Sequence, residues 1–534
     1  MGKENVFKKD RLVFALFFLI YAFIGLILVP YYQYSIDADG ISYISIAQKY
    51  ARADFKNAVN GYWSPFYSWL LAPLLFFKVT PLLAVKLLSL SLGLLTLMGV
   101  RLLSYRFEIT EEIRNILFIA LIPAVLDFSL TWITPDLLLM CILVYYLYFI
   151  FDPEYSFRLR NGIICGILGA LAYFAKIYAF PFFALHYSLF NFLHYFKKPV
   201  QIHRNNTLRN FFLGMVIFLF VSSAWAFMLS NKYREFTIGT AGRFNYNTAG
   251  PKFHLFSQIP ISSFGFLKPP NDTAISIWED PPYVKLESWN PMQSQEYFRY
   301  QIKSSLKNTY RIALYMLQKV SLFSASIIFV YILFCIMPFK RLISENKRFY
   351  PLLTLVLYPA GYIILYGVDR HLWINYIILL LMGADLLTIL CRNSFFAGAK
   401  KEITKIVFVL SFLTLPFYHL IAGFNDGRDI YNLSRVLKSY GIHGNIASNN
   451  TNAPTNKNWH ATLYLSYYLD SHYYGQALSK ISDKELQDFF IQNDIDYYFV
   501  WEAVAKTPQF LLKYKEKTDG KIPDLRIHSL KEKA

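Results

Sequence analysis

Residues 35–65 read SIDADGISYISIAQKYARADFKNAVNGYWSP, and this stretch decides how the remainder of the sequence is read. Asp37 and Asp39 stand one residue apart, just after the apolar run 12–32. Carboxylates at the mouth of a membrane span are costly to place and are usually there for function. Here they open a polar, aromatic-rich loop that leads straight into more apolar sequence. That layout points to chemistry at a lipid–water boundary.

Composition agrees with a membrane chain: 55% of residues are hydrophobic, 19% aromatic and only 16% charged. A span needs roughly 20 apolar residues. Such runs recur at 12–32, 82–100, 115–133, 137–151, 161–175, 177–196, 211–230, 312–339, 350–367, 372–391 and 403–422. The first is too long for a cleaved signal peptide and is followed by no small-residue cleavage site. Cys141, Cys165, Cys335 and Cys391 all fall in or beside apolar runs, with neither metal-site nor disulfide spacing. They read as small core hydrophobes.

Lys and Arg mark cytoplasmic loops. The basic clusters are Lys3, Lys8, Lys9 and Arg11; Arg101, Arg106 and Arg114; Arg158 and Arg160; Lys197, Lys198, Arg204 and Arg209; Lys340, Arg341, Lys347 and Arg348; and Arg392, Lys400, Lys401 and Lys405. With the N-terminus inside, the eleven runs alternate so that every cluster is cytoplasmic. The short apolar segment 65–79 then cannot cross, and it reads as a re-entrant or interfacial helix. Irregular backbone at that depth is tolerable only against protein or a wet cavity. The topology puts the Asp37/Asp39 loop, the turn 131–136, Lys176, the loop 231–310, the stretch Asp369-Arg370-His371-Leu372 and the tail 423–534 on the outer face. The net charge of +18 is thus an inside-loop and tail effect. It does not indicate nucleic acid, because no basic stripe is interleaved with stacking aromatics on a soluble module.

The expected fold is a polytopic α-helical membrane protein. It has about eleven spans plus one re-entrant or interfacial helix, and a small C-terminal α/β domain. Residues 1–422 form the membrane domain, with 31–65 as the first outer loop and 231–310 as an outer loop or lid. Gly, Pro and Asn punctuate 231–310 and argue for ordered turns. Its Trp278 and Trp289 suit a lid on membrane or sugar, or a cap resting on the spans. Residues 423–534 form the extracytoplasmic domain. Helices are expected at 434–441, 463–469, 483–493 and 507–516, and strands at 444–448, 471–475, 496–501 and 524–530. Such alternation implies a mostly parallel sheet. No phosphate-binding glycine loop occurs in it, and no internal repeat suggests a transporter of duplicated halves.

ATP and nucleotide sugars are absent outside the cell. A membrane enzyme working there needs a donor already activated in the lipid, and a polyprenyl-phosphate sugar qualifies because its phosphate is the leaving group. Such a site needs a carboxylate to deprotonate the acceptor hydroxyl, cations to hold the departing phosphate and an apolar groove for the prenyl tail.

The motifs Asp39-Gly40-Ile41-Ser42-Tyr43, Ser64-Pro65-Phe66-Tyr67-Ser68-Trp69 and Thr134-Pro135-Asp136 resemble those of the C-type (GT-C) glycosyltransferases. Bacterial aminoarabinose transferases and protein O-mannosyltransferases, which use lipid-linked sugars, are nearest in character. The resemblance covers residues 10–395 in layout but only short stretches in sequence. It implies a glycosyltransferase of the cell (inner) membrane. The sugar, hexosyl or pentosyl, would pass from a polyprenyl-phosphate donor to a hydroxyl on a glycan, glycolipid or protein. It implies Asp39 as general base. Many relatives carry an acid directly after that residue, where this chain has Gly40.

Asp37 is a second catalytic candidate, a metal ligand beside Asp39 if Mg or Mn is used, or a helix N-cap. Lys176, Arg370 and His371 are candidates for the donor phosphate. The alternatives are snorkelling for Lys176, a local ion pair with Asp369 for Arg370, and a structural role for His371. Tyr43, Trp63 and Asp136 are candidate substrate contacts, and Asp136 would equally suit capping. Tyr62, Trp63 and Trp69 also suit a membrane interface. Competing functions are a transporter or flippase of a lipid-linked saccharide, a polysaccharide polymerase or ligase, and a non-catalytic scaffold for the C-terminal domain.

Overall fold

The structure is a computed structural model, and it describes residues 2–197, 201–253, 261–336, 348–450, 458–478, 480–502 and 507–533. Lys198, Lys340, Arg341, Lys347 and the side chains of Lys3, Lys8, Lys9 and Arg11 lie outside the described residues.

Among the described residues the apolar runs fold mainly as helix. In chain order the helices are α1 (Gly2–Tyr32), α2 (Ala38–Ala51), α3 (Phe55–Ala58), α4 (Pro65–Phe76), α5 (Pro81–Ser104), α6 (Glu111–Leu130), α7 (Asp136–Ile150), α8 (Arg160–Ala175), α9 (Ala179–Lys197), α10 (Gln201–Tyr233), α11 (Ala241–Thr248), α12 (Gln295–Leu314), α13 (Ser324–Ile336), α14 (Phe349–Leu357), α15 (Ala360–Ile364), α16 (Trp373–Arg392) and α17 (Ala399–Ala422). Among the described residues six helices are long and apolar enough to cross a membrane, and a seventh if the bent pair α12/α13 is one span. The other runs form shorter apolar helices. α4 has 12 residues, about 18 Å at 1.5 Å per residue, well short of the ~30 Å hydrocarbon core.

Charge separates the two ends of the bundle. At one end basic loops meet acids: Arg101 and Arg114 bond Glu111, Arg106 bonds Asp152, Arg348 bonds Glu108 and Asp385, and Lys401 and Lys405 bond Glu112. At the other end gather the Asp37/Asp39 loop, the 131–136 turn, Lys176 and residues 369–371. α6, α7 and α16 are buried along most of their length, whereas α1, α10 and α17 present exposed apolar side chains.

α8 and α10 cross with their backbones in contact. A Cβ on Gly162 would lie 2.4 Å from the Asn210 carbonyl oxygen, and one on Gly166 2.3 Å from that of Gly214. Small residues permit this approach, as is usual between membrane helices.

The tail adds α18 (Arg428–Ser439), β1 (Asn445–Ser448), α19 (Asn458–Tyr468), β2 (His472–Gln476), α20 (Asp483–Gln492), β3 (Tyr497–Trp501), β4 (Tyr514–Glu516) and β5 (Leu525–Lys533). The sheet order is β2-β1-β3-β5-β4. β1 runs parallel to β2 and β3, but β5 is antiparallel to β3 and β4. The sheet is therefore mixed rather than mostly parallel. The helix expected over 507–516 is instead a 3-10 turn, Gln509–Lys513, followed by β4. The link 517–524 is too short for a parallel crossover, which needs a dozen residues or more. Glu516 closes it by accepting from the Thr518 and Gly520 amides. The loop 231–310 extends the far edge of this sheet, with Tyr473 N donating to Ile275 O and Leu267 N to Tyr474 O.

Gly166→Leu should cost about 1–3 kcal/mol through overpacking, and the thermal midpoint in detergent should fall. Gly242→Ala, where a Cβ meets open space, should leave it unchanged. Equal midpoints for the two variants would show that α8 and α10 are not in backbone contact.

Candidate active site

Asp37 caps α2. Its Oδ1 accepts from Gly40 N at 2.8 Å and its Oδ2 from Ile133 N at 3.1 Å, which ties the loop after α1 to the turn after α6. Burial, and Asp39 beside it, push the Asp37 carboxyl up to about 6, against the pull of Arg370 and the two amides. Asp37 stands behind the cavity described next. Gly40 faces the same turn: a Cβ there would lie 2.6 Å from Ile133 Cβ. This close approach leaves no room for the acidic side chain that the motif comparison expects after Asp39.

Asp39 occupies the first turn of α2, where the helix dipole favours a carboxylate. Its Oδ1 accepts from Trp278 Nε1 at 3.0 Å, and its Oδ2 accepts from Arg370. Arg370 also lies 3.5 Å from Asp136 Oδ2 through its Nε, and Trp132 stands beneath its guanidinium at 5.2 Å. Lys176, at the extended C-cap of α8, reaches Asp136 Oδ1 at 2.5 Å. Lys176 is thus an inward-facing partner rather than a snorkelling one. Asp369 bonds Lys319 instead of its neighbour Arg370. His371 stacks on Tyr362 at 4.7 Å, and Tyr362 stacks on Tyr178 at 3.9 Å.

These groups surround one cavity of about 510 Å³. Asp39, Tyr43, Trp63, Asp136, Lys176, Arg370 and His371 all line it, together with Tyr62, Trp278 and Tyr366. Seven of the eight sequence candidates converge from five separate segments, and Asp37 supports from behind.

The sequence reading missed how Trp278 is aimed at Asp39. Glu279 is the hub. It is buried on α2, paired with Lys49 and accepting from Ser45 Oγ at 2.6 Å. Asn60 donates to the Glu279 carbonyl at 2.6 Å while its own oxygen accepts from the Tyr62 and Trp63 amides. Trp63 Nε1 in turn donates to the Trp278 carbonyl at 2.9 Å. Asp280 is gripped beside it by Lys232 at 3.0 Å and by Tyr233. Lys49 and Glu279 lie 230 residues apart, and nothing local in either stretch marks them as partners.

The carboxylates do not form a divalent-cation site as arranged. Both Asp37 oxygens serve backbone amides, both Asp39 oxygens accept from Trp278 and Arg370, and Asp136 faces two cations. Among the described residues no three His, Cys, Asp or Glu side chains gather to hold a metal. Divalent-cation coordination wants several free oxygens, and these carboxylates are already engaged by amides and cations.

The overall fold, a helical bundle with a small C-terminal sheet unit, is shared with solved structures. The particular likenesses are to ArnT from Cupriavidus metallidurans and to the archaeal oligosaccharyltransferase AglB from Archaeoglobus fulgidus. With ArnT bound to undecaprenyl phosphate the TM-score is 0.53 at 10% identity, covering 96% of this chain and 97% of that one. The apo form of ArnT gives 0.50 over the same shares. AglB, in complex with an inhibitory peptide and a dolichol-phosphate, gives 0.51 at 11% identity, covering 91% of this chain and 69% of that one. At such identities the likeness establishes fold alone. No protein-family model matches the sequence, and no curated protein does.

Breaking a buried ion pair from one side strands the other charge, at a cost of about 3–5 kcal/mol. Lys49→Met and Glu279→Gln should each lower the thermal midpoint strongly. The double variant should recover part of that loss. Strictly additive losses in the cycle would show that the two side chains are not coupled.

Proposed function

We propose that this protein is a membrane glycosyltransferase that moves a sugar from a polyprenyl-phosphate donor to a hydroxyl acceptor, with Asp39 as general base. One observation carries the reading. A carboxylate at a helix N-terminus shares a single cavity with two cations, Lys176 and Arg370, at the end of the bundle away from the basic loops. The bound undecaprenyl phosphate and dolichol-phosphate of the two structurally similar proteins support a lipid-phosphate donor.

In the proposed reaction the acceptor oxygen attacks the sugar's anomeric carbon and its proton passes to Asp39. The bond to the phosphate oxygen breaks, and the leaving phosphate keeps the electron pair. Arg370 and Lys176 hold the charge that develops there. Tyr43, Trp63 and the Tyr178–Tyr362–His371 stack offer flat faces and hydroxyls to a sugar. Trp278 donates to Asp39 and keeps its carboxylate turned into the cavity. Before donor binds, Arg370 is engaged by Asp39. A donor phosphate therefore competes with Asp39 for the same guanidinium, and by taking it unmasks the base.

Two consequences distinguish this reading from a transporter or a scaffold. Asp39→Asn should slow transfer about 10²–10⁴-fold, the usual contribution of a positioned base. The same variant should bind polyprenyl phosphate more tightly than the parent, because Arg370 has lost its competitor. Near-normal transfer by purified Asp39→Asn would remove the base. Weakened lipid-phosphate binding would remove the competition.

The same reading places the N-terminus in the cytoplasm and residues 423–534, as an extracytoplasmic unit, on the far side of the inner membrane. In intact cells a cysteine at Ser482 should react with an impermeant maleimide, and one at Lys400 only after permeabilisation. The reverse pattern would invert the topology.

A further inference from the structure

α12 carries three rows of side chains at four-residue spacing. Tyr300, Ser304, Asn308 and Ile312 face the protein and are buried. Phe298, Ile302, Leu306 and Tyr310 are large and apolar, yet 46, 46, 65 and 63% exposed. Between these rows runs a third, Arg299, Lys303, Lys307 and Arg311, whose first three members are exposed. An exposed row of four large apolar groups, 16 to 20 Å long at about 1.5 Å per residue, is not the solvent face of a soluble helix.

The neighbouring geometry fixes what covers it. The helical stretch Gln295–Lys319 bends by 102° into α13. α13 is wholly apolar or small in sequence and packs along α14 and α16, and α16 is one of the spans. A helix turned sharply away from such an apolar, bundle-packed segment is set to lie along the membrane surface. Ile364, Leu317 and Leu322 beside it are exposed and apolar as well.

We propose that α12 lies in the headgroup layer of the bilayer. Its apolar row enters the acyl boundary, and Arg299 and Lys303 meet the phosphates of anionic phospholipids. A helix with one apolar and one basic face has this preference, long basic side chains reach headgroups from such a position, and an anionic leaflet attracts them. The contact bears on the cavity through the protein-facing row. Asn308 Nδ2 donates to the Ile363 carbonyl at 3.1 Å and to that of Leu365 at 3.3 Å, and Gln301 Nε2 donates to that of Ile364 at 3.2 Å. Arg311 lies over the Tyr366 ring at 5.3 Å. Leu365 and Tyr366 line the cavity, so the bilayer surface, α12 and the cavity wall form one connected stack. This membrane contact is independent of whether the protein transfers a sugar.

The test uses the full chain in nanodiscs, with Cys391→Ser and a spin label at either Leu306→Cys or Glu287→Cys. Glu287 is an exposed outer-loop position and reports water. The label at 306 should collide more often with oxygen than with a nickel chelate, and the label at 287 the reverse. Replacing part of the phosphatidylcholine by phosphatidylglycerol should drive the 306 label deeper, and Arg299→Gln/Lys303→Gln should abolish that increment. Water-like collisions at 306 would overturn the membrane contact. Shielding from both reagents would overturn it in favour of a protein partner on this face. A depth at 306 indifferent to phosphatidylglycerol would overturn the anionic-lipid contact.

Discussion

Arg370 sits between Asp39 and Asp136, and the rest of the site depends on that placement. The two acids belong to different helices, α2 and α7, and the arginine precedes a third, α16. Lys176, between α8 and α9, completes the chain on Asp136. In a setting this buried no member is satisfied without the others, because an uncompensated charge away from water is expensive. The network therefore fixes the relative positions of four segments at the end of the bundle away from the basic loops. A guanidinium suits the post better than an ammonium, since its planar fork addresses two carboxylates at once.

Around this network the chain builds two further supports. Asp37 closes the N-terminus of α2 and reaches across to Ile133, which orients the turn that carries Asp39. Glu279 then clamps the loop 231–310 onto the opposite end of α2 through Lys49. Trp278 hangs between these anchors with its ring edge against Trp63 at 5.8 Å and its N–H on Asp39. The tail contributes as well: Trp459 of α19 approaches Trp278 edge-on at 6.4 Å. The loop 231–310 is thus part of the cavity's structure on one side and, through α12, a surface element on the other.

Much of this was legible in the sequence because membrane chains write their spans as long apolar runs and their ends as charge. Asp39, Asp136, Lys176 and Arg370 each interrupt or border such a run, and there a charge has few reasons other than function. The short helix α4 was legible too, because the apolar segment 65–79 is too brief to cross. What could not be read were pairings between distant segments. Lys49 falls in an ordinary amphipathic stretch, and Glu279 in a Pro-rich loop; only the fold makes them partners. The roles of Lys176 and Arg370 were equally open, since snorkelling and a local pair with Asp369 use the same sequence. The tail shows the limit for strands. Alternating helix and strand signals suggested a parallel sheet, but the direction of β5 is set by the length of one short link that propensity does not weigh.

Charge balance gives the proposed chemistry its final constraint. Two carboxylates, Asp39 and Asp136, face two cations across the cavity, so the side chains are nearly balanced before a donor arrives. A phosphate entering such a site gains less than it would from free cations, because every new contact replaces an existing one. Affinity must then come mainly from parts of the donor that meet no rival: the lipid chain along apolar walls and the sugar against aromatic faces. Small soluble phosphates lack both and would bind weakly. The balance changes only as the phosphate leaves and acquires a second charge. The cations therefore do more for the transition state than for the bound donor, which is the direction that raises turnover rather than mere binding.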